Sequence, residues 1–167
     1  MPRFITLILL ITLTTALFAD ELRGKVVSIA DCDTITVLDA DKKQHKVRLN
    51  GIDAPEKKQA FGAKSKARLG ELVAGKDVVV DWTEKDTYGR VLGKVQQGPL
   101  DVNLQMVKEG LAWHYRKYSK SVELARAEAE AKAGKKGLWA EPNPVPPWDF
   151  RKQEKKNKKG FALNPKL

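Results

Sequence analysis

Three short segments carry charged side chains where neither a strand nor a turn pattern requires them. The first is Ala30-Asp31-Cys32-Asp33-Thr34, with two acids at the start of a β-branched run. The second is Val47-Arg48-Leu49-Asn50-Gly51-Ile52-Asp53-Ala54-Pro55-Glu56, and the third is Asp86-Thr87-Tyr88-Gly89-Arg90. Together they offer carboxylates, two guanidinium groups and a phenol, an inventory suited to opening a phosphodiester. That reaction needs a group to take a proton from the attacking water, and fixed donors for the charge that grows on the phosphoryl oxygens. Glu56 answers the first need. Arg48 and Arg90 answer the second, because a planar guanidinium binds phosphate oxygens in pairs and never deprotonates. Asp33 and Asp53 present oxygen ligands of the kind a hard cation such as Ca²⁺ accepts, and the absence of a His/Cys cluster argues against zinc.

Each residue also has a plainer reading. Asp33 and Asp53 could be turn residues, Arg48 and Glu56 a surface ion pair, and Arg90 a cross-strand partner of some acid. The coincidence of all five favours chemistry. Asp31 and Asp86 read as solvent or turn residues, and His114 as a packed edge residue. Trp82, Trp139 and Trp148 read as core or strap anchors.

The elements that must position these groups follow from hydrophobic period. Residues 25–29, 34–38 and 46–50 read as strands rich in β-branched residues, and the alternation in the third sends Val47 and Leu49 to the core and Arg48 to the opposite face. From Gln59 the period lengthens to that of a helix, with Phe61, Leu69, Leu72 and Val73 on one face and Gly75 as its stop. Strands are predicted at 78–82 and 90–95, a short helix at 101–108, and a helix capped by Ser119 or Ser121 that runs to about Ala133, with Glu128 and Lys132 as an i,i+4 pair. Glu141-Pro142-Asn143-Pro144-Val145-Pro146-Pro147 suits neither helix nor inner strand and reads as an extended strap leaving the domain. The predicted class is α+β: a five-stranded Greek-key barrel of the oligonucleotide-binding type with about three α-helices.

The 167 residues, 42% of them hydrophobic, allow one domain with a core, plus appendages. Residues 1–19 have the basic start, apolar middle and small-residue end of a secretory leader, which implies a secreted or periplasmic protein. The core domain then spans 20–150. Cys32 is the only cysteine, so no intramolecular disulfide forms. Without the leader, 30 Lys and Arg face 21 Asp and Glu, a net of +9, of which +6 belongs to residues 151–167. That Lys-rich end reads as a disordered arm for a polyanion.

The ordered set D-x-D-T, V-R-L-x-G-I-D-A-P-E and D-x-Y-G-R, followed by G-L-W, resembles the staphylococcal nuclease family over roughly residues 22–140. The resemblance implies a five-stranded OB-type barrel with three helices. It implies metal ligation by Asp33, Asp53 and the main-chain carbonyl of Ala54, with Ca²⁺ as the cofactor. It further implies that Glu56 is the general base, that Arg48 and Arg90 bind the scissile phosphate, and that Tyr88 and Tyr118 lie near the terminal phosphate or base. The implied substrates are DNA and RNA, single strands favoured, for a chain expected to be a monomer. Three positions depart from the family pattern: Cys32 stands where a glycine is usual, Ala54 replaces a threonine, and Arg116-Lys117-Tyr118 keeps one of two tyrosines. A side chain at 54 leaves its carbonyl available, whereas Cys32 beside Asp33 could tilt that ligand or bring oxidation sensitivity. The rival reading is a barrel that binds nucleic acid or an envelope polyanion without chemistry. The presence of Glu56 and both arginines speaks against it.

Overall fold

A computed structural model describes residues 20–163, with side chains through residue 158; the leader expected at 1–19 and the last four residues lie outside it. The chain runs β1 (Asp20–Asp31), β2 (Thr34–Leu38), β3 (Gln44–Leu49), β4 (Ile52–Asp53), α1 (Gly62–Val73), β5 (Asp77–Lys85), β6 (Val91–Gln97), β7 (Leu100–Asp101), α2 (Val102–Lys108), β8 (Trp113–His114), α3 (Val122–Ala133), a 3₁₀ turn (Gly137–Ala140) and α4 (Pro147–Leu163).

Five strands form the expected closed barrel. The sheet order is β3-β2-β1-β5-β6-β7, and a parallel pairing of β3 with β6 joins its ends, so the long strands leave no open edge. β1 serves two neighbours: residues 20–25 pair with β5 and residues 25–31 with β2. Register shifts between Val26 and Ser28 and between Ile29 and Asp31 bend it from one to the other, which is how bulges turn a strand around a barrel.

The barrel interior follows the alternation in the sequence. Val47 and Leu49 of β3, Ile35 and Val37 of β2, Val80 of β5 and Val95 of β6 are fully buried, with Leu69 and Val73 of α1 and Met106 and Val107 of α2 closing the ends. Each such aliphatic side chain contributes about 1.5–3 kcal/mol by leaving water. Asp101 caps α2 by accepting from the Leu104 amide at 2.9 Å, and Ser121 caps α3 through the Leu124 amide.

Three expectations need correction. The first helix begins at Gly62, not at Gln59, because Phe61 takes a left-handed conformation (φ 64°) that ends the preceding turn. There are four α-helices among the described residues, where about three were expected. The fourth stands over residues 151–163, where disorder was predicted, so the proline run is a bend that turns the chain back onto the domain. Among the contacts that hold it there, the Gln59 side-chain amide donates to the Val145 carbonyl at 2.5 Å, and the Trp148 ring stacks flat on Tyr115 with centroids 5.2 Å apart.

Candidate active site

The outer face of the β2–β3 hairpin and the bend after β3 gather four of the residues singled out above. Because Val47 and Leu49 point inward, Arg48 emerges on the outside, where one guanidinium nitrogen lies 3.0 Å from Asp33 Oδ2 and 3.0 Å from Asp53 Oδ1. The turn before β2 is tied in three ways: the Cys32 amide donates to Asp31 Oδ1, the Thr34 hydroxyl to Asp33 Oδ1, and the Leu49 amide to the Asp33 carbonyl. Asp31, expected to be a solvent or turn residue, ends β1 and closes the turn that follows through its side chain. Asp53 sits on β4, held against β8 by its pairing with Trp113, and is fully buried. Burial pushes its carboxyl above the usual range, against the pull of Arg151 and Arg48. Ala54, buried, follows directly.

Glu56 opens a tight turn whose geometry depends on a missing side chain. The Gln59 amide donates to the Glu56 carbonyl, the Glu56 amide to Gln59 Oε1, and the Gly62 amide to the Gln59 carbonyl. A Cβ on Gly62 would lie 2.1 Å from the Glu56 carbonyl oxygen, so only glycine allows α1 to start this close to the turn. Cys32 belongs to the same support. Its thiol donates to the Gly62 carbonyl at 3.3 Å, and burial, reinforced by Asp31, pushes its pKa up to about 12. Cys32, expected to bear on Asp33, is a buried thiol that braces the start of α1.

Arg90 stands apart from this cluster. Among the described residues its guanidinium pairs with Asp86, at 2.7 Å from Nε to Oδ2, and lies over the Tyr88 ring at 5.5 Å. The D-x-Y-G-R segment is a turn with Gly89 at φ 76°, and Asp86 Oδ1 accepts the Tyr88 and Arg90 amides while Oδ2 fixes the guanidinium. Those bonds outweigh partial burial and hold the Asp86 carboxyl below its ordinary value. Asp86 is more than the plain turn residue expected. Val47 pairs with Val91 across the parallel β3–β6 ladder, which sets Arg90, the residue just before β6, beside the strand that carries Arg48. Tyr88 and Tyr118 are exposed at 83% and 63%, open to a ligand; Tyr118 meets Tyr115 edge-on.

Behind β4, His114 is buried as expected, and burial lowers its pKa. The anticipated Glu128–Lys132 pair is part of a larger knot, because the buried Glu128 carboxylate also accepts the His114 amide and the Arg116 guanidinium. It ties α3 to the strand that pairs with Asp53.

One residue at the site escaped the sequence reading. Arg151, on α4, donates to both Asp53 oxygens (3.2 and 2.6 Å) and to Glu56 Oε1 (2.7 Å). Burial disfavours its charge, yet these carboxylates outweigh it and raise its pKa. A usable signal was present: Pro147 followed by Asp149 is the residue order of a helix start.

The donor chemistry fits a hard cation. Asp33 and Asp53 approach one nitrogen from two sides, so a single ion could take both, and every available ligand atom is oxygen. No group of three or more His, Cys, Asp or Glu side chains forms a metal cage among the described residues. A cation held by two carboxylates and the Ala54 carbonyl would therefore draw its remaining ligands from water or substrate.

The sequence model described as staphylococcal nuclease homologue matches residues 46–141. An "uncharacterized endonuclease" of Haemophilus influenzae is 44% identical over 152 residues, covering 91% of this chain and 85% of that protein. An Escherichia coli protein of the same description is 43% identical, covering 90% of this chain and 98% of its own length. A micrococcal nuclease of Shigella flexneri is 41% identical over 146 residues, 81% of this chain and 83% of that protein. A closed OB-type barrel that carries Asp33, Arg48 and Asp53 together defines the class, and the chain belongs to the staphylococcal nuclease family.

Proposed function

We propose that this chain is a Ca²⁺-dependent nuclease that hydrolyses phosphodiester bonds of DNA and RNA with little regard for sequence. The observation that carries the reading is the convergence of Asp33, Arg48, Asp53 and Glu56 on one side of the barrel, with Arg90 in the turn just before β6, the strand that pairs with β3. The endonuclease and micrococcal nuclease names of the relatives support it.

Asp33, Asp53 and the Ala54 carbonyl would hold the cation, which when bound supplies positive charge beside the phosphate. Glu56 accepts a proton from water as the water oxygen bonds to phosphorus, and the bond from phosphorus to the leaving alkoxide breaks. Arg48 and Arg90 neutralise the equatorial oxygens of the phosphorane-like transition state. Tyr88 and Tyr118 offer exposed rings for a terminal phosphate or an unpaired base, which favours single strands. The leader at 1–19 would direct the chain out of the cytoplasm, to a periplasm or the medium, and we infer that it acts as a monomer.

Hydrolysis of a single-stranded DNA reporter, followed with Ca²⁺ and with excess chelator, tests the assignment. Activity should require the ion, and Glu56→Gln should lower kcat by about 10² or more with little change in substrate affinity. Undiminished hydrolysis in chelator, or by the Glu56→Gln enzyme, overturns the reading.

A further inference from the structure

Arg151 occupies the two groups on which the proposed chemistry depends. Its guanidinium takes both carboxylate oxygens of Asp53 and one oxygen of Glu56. A base whose oxygen already accepts an N–H is a poorer acceptor for a water proton. A metal and a guanidinium on the same buried carboxylate repel each other in a medium that screens them weakly. Asp53 is fully buried and already has the Arg48 guanidinium 3.0 Å from Oδ1, so Arg151 adds a second cation to this carboxylate, across both of its oxygens.

The helix that delivers Arg151 is seated, not merely adjacent. Trp148 lies flat on Tyr115 and edge-on to Trp113 at 5.6 Å, with Arg151 one helical turn further on. Trp113 is the β8 residue that pairs with Asp53. The Arg151 side chain keeps 37% of its surface in water, and α4 lies outside the barrel, so a route from the site to solvent exists that leaves the barrel closed.

We propose that Arg151 is an internal stand-in for the metal, and that α4 is a latch: a divalent cation and Arg151 occupy Asp53 in alternation, and only the cation-bound, unlatched state frees Glu56. The proposal rests on the metal reading above and adds its regulation.

The test measures Ca²⁺ binding by calorimetry on the full mature chain and on Arg151→Gln, with hydrogen exchange of the backbone over residues 148–156 in the absence and presence of Ca²⁺. Removing the competitor should tighten Ca²⁺ binding by about tenfold, in the usual range of intramolecular coupling. Ca²⁺ should speed exchange over α4 in the wild type, and in Arg151→Gln that segment should exchange fast without it. Trp148→Ala, which loosens the helix without touching the carboxylates, should tighten Ca²⁺ binding in the same direction and covers the case in which Arg151→Gln misfolds. Equal or weaker affinity in the variants, or α4 exchange that Ca²⁺ leaves unchanged, overturns the latch while the metal reading stands. Absence of Ca²⁺ binding in wild type and both variants overturns the metal reading and the latch with it.

Discussion

A guanidinium is useful to a phosphate only if it points the right way before the phosphate arrives, and Arg90 shows how one side chain secures that. Asp86 uses one oxygen to accept two backbone amides of the turn and the other to hold the Arg90 guanidinium. Asp86→Asn separates the two tasks, because the amide oxygen still closes the turn while the charged contact is lost. We expect kcat/KM to fall about tenfold with the unfolding midpoint little changed, since the loss is one of orientation. Steady-state kinetics beside a denaturant titration decides this. Unaltered kcat/KM would mean that Arg90 is not positioned through Asp86. Cys32 teaches the complementary lesson, since a residue that looked like a disturbance of Asp33 faces the other way and supports the helix that carries the Glu56 turn.

The elements that carry the site are fastened to the barrel by polar ties far from the chemistry. α1 and α2 are joined by Arg68, whose guanidinium donates to both Glu109 oxygens at 2.7 and 2.8 Å. That pairing is the main reason the Glu109 carboxyl titrates below its ordinary 4.5. A carboxylate whose folded pKa is depressed adds stability above its unfolded pKa and loses it as pH falls through the folded value. The stability gap between wild type and Arg68→Met should therefore be present at pH 7 and close as pH drops below about 4.5. Chemical denaturation of both proteins from pH 7 to pH 3 measures it. A gap that stays constant across that range would show that Arg68 contributes only through its aliphatic stem.

For the molecule as a whole, the charge imbalance has two destinations. One arginine of the basic end is turned inward on the acids of the site, whereas Lys152, Lys155, Lys156 and Lys158 stand exposed on α4. Lys152 pairs with Asp149 at 3.1 Å, and Lys155, Lys156 and Lys158 present their charges to solvent, so we propose that a helix face, not a disordered arm, meets the polyanion. Each single-strand phosphate they neutralise should add about 0.7 to the log–log salt dependence of binding. Changing Lys152, Lys155 and Lys156 to Gln should raise KM on long single-stranded DNA at low salt and flatten its salt dependence, leaving kcat and dinucleotide hydrolysis unchanged. KM across a salt series tests this; superimposable curves for the two proteins would remove α4 from substrate binding.

The barrel strands, the capped helices and the cluster of Asp33, Arg48, Asp53 and Glu56 were legible from sequence because they rest on local rules. A period of two sends Arg48 outward when Val47 and Leu49 go in, a serine or aspartate caps the next helix, and the acids lie within 23 residues of one another around one hairpin and its bend. What tertiary structure alone decided were partnerships across long separations in the chain. The Cys32 thiol meets the Gly62 carbonyl 30 residues away, and Arg151 meets Asp53 across 98. A lysine-rich segment is written the same way whether it is solvated or docked by a single arginine. The decision falls to the aromatic seat for Trp148 and to the two carboxylates of Asp53 and Glu56 that receive Arg151, and both exist only once the barrel has closed.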